Sequence, residues 1–130
     1  MKKSLVLILL LMSSINAEPN LYFIEPKNNA VVTERTFKVQ FGLEGFGVAP
    51  AGYDIPNTGH HHLLINTFVP EDLSLPIPSD EFHIHFGLGQ TETIITLEPG
   101  VHTLRLVLGN YLHIPHEQPI ISEEIQILVL

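Results

Sequence analysis

From Leu21 onward the apolar positions recur with a period of two, in short runs broken by Pro, Gly and Asn. Alternation of this kind puts successive side chains on opposite faces of a strand, whereas an amphipathic helix repeats every 3.6 residues. Seven strands are predicted, over 21–25, 36–43, 60–68, 82–86, 91–97, 101–108 and 122–130. Phe37, Val39 and Phe41 share a face against Lys38 and Gln40. Leu104 and Leu106 oppose Arg105, and Ile125, Ile127 and Val129 line one side of the last strand.

Short strands at this spacing, with turn residues between them, predict an all-β fold: an immunoglobulin-like antiparallel β-sandwich of about seven strands. An up-and-down barrel is the competing architecture. In Glu98-Pro99-Gly100-Val101-His102, His102 stands where such sandwiches often place a corner tyrosine that bonds back to the backbone. Two connections are long for a compact domain, 44–59 and 69–81. The first is rich in Gly and Pro, and the second carries Pro70, Pro76, Pro78 and four acids. Each leads into a histidine cluster.

The first residues follow a different grammar. Lys2 and Lys3 precede the apolar run Leu5 to Met12, and Ser13, Ser14, Asn16 and Ala17 follow it. This is the layout of a secretory signal peptide over residues 1–17, with a single domain over 18–130. The apolar run falls short of the roughly 20 residues needed to span a bilayer. Its removal takes away two lysines and no acid, so the net charge of −8 becomes −10. That charge excludes the basic footprint of a nucleic-acid binder. The absence of cysteine excludes disulfides, thiolate metal centres and a cysteine nucleophile. An exported chain with neither Cys nor an Asn-x-Ser/Thr sequon fits a periplasmic or secreted location in a bacterium.

The eight histidines outnumber Lys and Arg together, six in all. Seven fall in three clusters: His60-His61-His62, His83-Ile84-His85 and His113-Ile114-Pro115-His116. Strand alternation puts His60 and His62 on one face and turns His61 toward the core with Leu63 and Ile65, as a hydrogen-bonded core residue. It also puts His83 and His85 on a shared face. Imidazoles two residues apart on paired strands can converge on one ion at about 2.0–2.1 Å. His113 and His116, in a loop stiffened by Pro115, could close such a site. All-imidazole ligation favours Cu(II) or Zn(II) over Mg or Ca. The only methionines, Met1 and Met12, lie in the leader, which removes thioether ligation. The expected metal ligands are therefore His60, His62, His83, His85, His113 and His116. The expected role is binding, buffering or delivery of metal without turnover. A three-His zinc enzyme would need a carboxylate base, for which Glu92 and Glu117 are the candidates, neither within a motif. The alternative is a non-catalytic immunoglobulin-like module that holds an envelope protein partner at its long loops, with structural histidines.

Several segments together resemble a known family of small exported bacterial proteins, domain of unknown function 4399. They are Gly47 to Gly52, Thr58-Gly59-His60-His61-His62-Leu63-Leu64-Ile65, His83-Ile84-His85-Phe86-Gly87 with Gly89 to Glu92, Pro99 to Gly109, and His113-Ile114-Pro115-His116. Asn66 and Leu88 depart from the family pattern, which has an acid and a glycine there. The resemblance implies export to the periplasm or beyond, and implies no activity.

Overall fold

The computed structural model describes Ile8 and residues 17–130. Apart from Ile8 and Ala17, the leader expected over 1–17 lies outside the described residues. Among the described residues no helix is long and apolar enough to cross a membrane. Nine strands form, in chain order β1 (Asn20–Glu25), β2 (Val31–Val32), β3 (Thr36–Glu44), β4 (Gly47–Val48), β5 (Thr58–Ile65), β6 (His83–His85), β7 (Glu92–Thr96), β8 (Gly100–Gly109) and β9 (Ile125–Val129).

The strands make two sheets. One has the order β1-β3-β7, and the other runs β2-β9-β8-β5-β4, with β6 also paired to β5. The chain crosses between them at β1 to β2, β2 to β3, β3 to β4, β6 to β7 and β7 to β8. This is the connectivity of an immunoglobulin-like sandwich. An up-and-down barrel would instead pair each strand with the next. All seven expected strands are present. The two additional ones, β2 and β4, are two-residue parallel pairings with β9 and β5, too short to carry a period.

The inner faces meet as expected. Leu21, Phe23, Val39, Phe41 and Ile95 from one sheet pack on Leu63, Ile65, Leu104, Leu106, Leu108, Ile125, Ile127 and Val129 from the other. Two boundaries differ from the period. The strand expected over 60–68 ends at Ile65, because Asn66 turns to φ 54°. The last strand begins at Ile125 and not at Ser122. The Ser122 hydroxyl accepts the Leu106 amide at 2.8 Å, in the place of a ladder carbonyl.

β5 departs from ordinary sandwich behaviour. An antiparallel sheet usually leaves one face to water, but seven consecutive residues of β5, Gly59 to Ile65, are buried. Loop segments cover the outer face. Leu64 and Val107 meet Ile77 there, with Val69 and Ile121 alongside, in a second apolar cluster. His60 and His62 of β5 share this covered face.

At the opposite end of β5 the expected corner is present. His102 Nε2 donates to the Glu98 carbonyl at 2.7 Å, and Nδ1 accepts from Asn66 Nδ2 at 2.9 Å. Asn66 Oδ1 in turn accepts the Thr103 amide at 3.0 Å. The carbonyl can only accept, which fixes the imidazole tautomer. Replacing His102→Leu removes both bonds and is expected to lower stability by about 1–3 kcal/mol in urea unfolding.

Candidate metal centre

Alternation along β5 sends His60 and His62 to the covered outer face, with ring centroids 4.6 Å apart. Both are essentially without solvent exposure. The third member comes from the loop after β8. There Asn110 Oδ1 accepts the amides of Leu112 and Ile114, and the Asn110 carbonyl accepts the His113 amide. This knot turns His113 to φ 63°. Such a left-handed conformation costs a non-glycine residue roughly 1–2 kcal/mol. The turn aims the His113 ring back at β5, where His113 Nδ1 and His60 Nε2 lie 2.9 Å apart. One ring nitrogen from each of His60, His62 and His113 falls within 4.8 Å of the others.

Gly109 makes room for this packing. A Cβ there would stand 2.6 Å from His62 Cε1 and 3.4 Å from the His113 carbonyl carbon. The two long connections frame the cluster. The Ile77 amide donates to the His113 carbonyl at 2.8 Å. From the other connection the Ala51 amide reaches the Gly87 carbonyl and the Gly52 amide reaches that of Tyr111.

The remaining candidates take different places. His85 faces His62 across the β5–β6 register. Its ring lies 6.1 Å from that of His62 and 5.1 Å from that of His113, exposed at the rim. Its Nδ1 meets Ser79 Oγ at 3.3 Å. His83 pairs with Leu64, and its Nδ1 is engaged by Asp80 Oδ1 at 2.7 Å. His116 gives Nε2 to the Thr58 carbonyl at 3.0 Å and packs edge-on against Phe46. Neither His83 nor His116 belongs to the three-nitrogen group. Glu92 lies on β7 in the other sheet, 3.7 Å from Lys38 Nζ, and Glu117 is exposed.

His61 points inward as expected, its ring 5.0 Å from that of Phe41. The expected hydrogen bonding is corrected: neither ring nitrogen has a partner. The surrounding walls supply packing, and the one polar group beside the ring, the Gln90 backbone, falls outside hydrogen-bond geometry.

The residues present fit a metal. His62 is buried with both nitrogens unpartnered, and His60 Nδ1 is likewise without a partner. Buried polar atoms are otherwise almost always bonded, and each orphan costs about 1–3 kcal/mol. Two nitrogens bound to one ion at about 2.0–2.1 Å lie about 2.9–3.4 Å apart for bond angles of about 90–109°. The His60–His113 separation already equals the lower limit.

The family described as Domain of unknown function (DUF4399) matches residues 39–130. The chain belongs to DUF4399. The matched span of this DUF4399 chain contains all eight histidines. No curated protein matches it in sequence. Among solved structures it is similar to the fibronectin(III)-like modules of Clostridium thermocellum CbhA, at TM-score 0.48 and 11% identity. The similarity covers 87% of this chain and 46% of that one, so the chain spans about half its length.

Burial governs the ionisation of the DUF4399 histidines. It pushes His60 down to about 4, aided by His113 and His85. It pushes His61 to about 4, offset only in part by the Gln90 backbone. His62 falls to about 3, through burial and then the His60 and His113 rings, offset only in part by the His60 backbone, which lies outside hydrogen-bond geometry. His113 is lowered by burial and by His85. The unfolded chain takes up these protons near about pH 6.5. Between that pH and the folded values the unfolded state binds more protons, so stability falls as the pH falls. The slope approaches about 1.4 kcal/mol per pH unit for each group, against a typical total of about 5–15 kcal/mol. Metal-free protein is expected to unfold between about pH 4 and 6 by circular dichroism, with a lower midpoint in His61→Leu. A separate prediction concerns Gly109→Ala. The added methyl displaces His62 and is expected to cost about 1–3 kcal/mol in chemical denaturation.

Proposed function

We propose that this DUF4399 protein is exported to the periplasm or secreted, and there binds a divalent transition metal, Cu(II) or Zn(II). His60, His62 and His113 are the holding ligands. The observation that carries this reading is His62: a buried imidazole with both nitrogens unpartnered, packed against two others. Neutral imidazole is the form a metal requires, and burial keeps these rings neutral at ordinary pH. Among the described residues no carboxylate joins the group, which favours the borderline ions over Mg or Ca. The acidic chain draws cations toward it. The role is buffering or delivery.

Binding would replace the proton shared by His60 Nε2 and His113 Nδ1 with the ion, so uptake should release protons and weaken as the pH falls. Calorimetric titration of untagged protein with Cu(II) and with Zn(II) is the test. About one equivalent is expected, with affinity reduced by more than about a hundredfold in His62→Ala. His83→Ala and His116→Ala should bind within about threefold of wild type, since their nitrogens are engaged elsewhere. Equal affinity in wild type and His62→Ala would overturn the reading.

A further inference from the structure

We propose that His85 is the capture ligand of this centre: it takes the metal at the surface and hands it inward, without holding it at equilibrium. The inference rests on the metal reading above, and concerns how an ion reaches residues that solvent does not.

His60 and His62 are 0% and 1% exposed, so neither can meet a hydrated ion directly. Two imidazoles of the cluster do reach solvent, the exposed His85 and the half-buried His113. These two are neighbours, with ring centroids 5.1 Å apart. His113 is also a neighbour of the buried pair, at 4.8 Å from His60 and 5.7 Å from His62. His113 is therefore common to an outer pair, His85 with His113, and to the inner three. His85 itself lies 6.1 Å from His62 and falls outside the three-nitrogen group.

A path that never releases the ion follows from this overlap. The hydrated ion first exchanges two waters for nitrogens of His85 and His113. It then moves inward about His113. The bond to His85 and the bond to one water break as bonds to His60 and His62 form, and a remaining water keeps its place. The proton shared by His60 and His113 leaves to solvent. The metal's oxidation state is unchanged, and every bond broken is replaced. His85 then returns to Ser79 Oγ, its partner at 3.3 Å.

A capture ligand and a resident ligand are told apart by kinetics. A group that acts only on the path lowers the barrier in both directions and leaves the equilibrium where it was. The probe is Cu(II) alone, read in stopped flow by quenching of tyrosine emission, since the chain has three Tyr and no Trp. Release is read by mixing the loaded protein with a chelator. In His85→Ala, association and release should both slow by at least about tenfold, with the dissociation constant held within about threefold. His85→Asn should behave alike, which separates loss of the imidazole from loss of bulk at the rim. A large loss of affinity with unchanged association would make His85 a resident ligand and overturn the inference. Unchanged rates would overturn it also. In either case tight binding by wild type leaves the metal reading standing, whereas no binding by wild type removes both.

Discussion

The molecule is organised around a strand that has no free face. β5 gives its inner side to the sandwich core and its outer side to loops, and the rest of the architecture answers to that demand. A sheet face left to water needs only polar side chains. A face that must be covered needs long connections, and each must be pinned where it lands. The Ile77 amide on His113, the Ala51 amide on Gly87 and the Asn110 knot are those pins. Covering the face also makes two adjacent imidazoles dry. The same histidines on an ordinary outer sheet face would be solvated, titrating near neutrality and chemically unremarkable.

Imidazoles are a costly choice for such a position. Leu64 and Val107 show that the covered face accepts aliphatic side chains a few residues away. Placing His60 and His62 there leaves three ring nitrogens without partners. Gly109, which leaves out a side chain beside the His62 ring, and His113, which holds an unfavourable backbone conformation, add to that cost. These features share one explanation if the cluster has an occupant. His61, on the other face, lacks such company and is held by apolar contact.

Much of this could be read from the sequence because strand geometry is strictly periodic. Alternation alone separates His60 and His62 from His61, and it aligns the core residues of β3, β8 and β9. It could not place His113, whose position depends on a left-handed turn organised by the Asn110 side chain. Nor could it set His83 apart from His85. They share a face, and a carboxylate three residues earlier, Asp80, engages one of them. His116 is likewise taken by a carbonyl fifty-eight residues away, that of Thr58. The His116 contact is tertiary, and no local pattern reports it. The unbroken apolar run Leu63-Leu64-Ile65 did carry the signal that β5 is covered on both sides, since a half-exposed strand would have placed a polar residue at 64.

The contact between His60 and His113 joins positions fifty-three residues apart in a chain that has no cysteine. An ion held between them would be a reversible staple. Closing a loop of that length removes unfolded-chain entropy equivalent to about 4 kcal/mol, on the scale of a disulfide. Unlike a disulfide, this cross-link would need no oxidant to form. Reductants would not open it, whereas acid or a stronger chelator would. Resistance of such a chain to proteases would then follow the supply of metal in its surroundings.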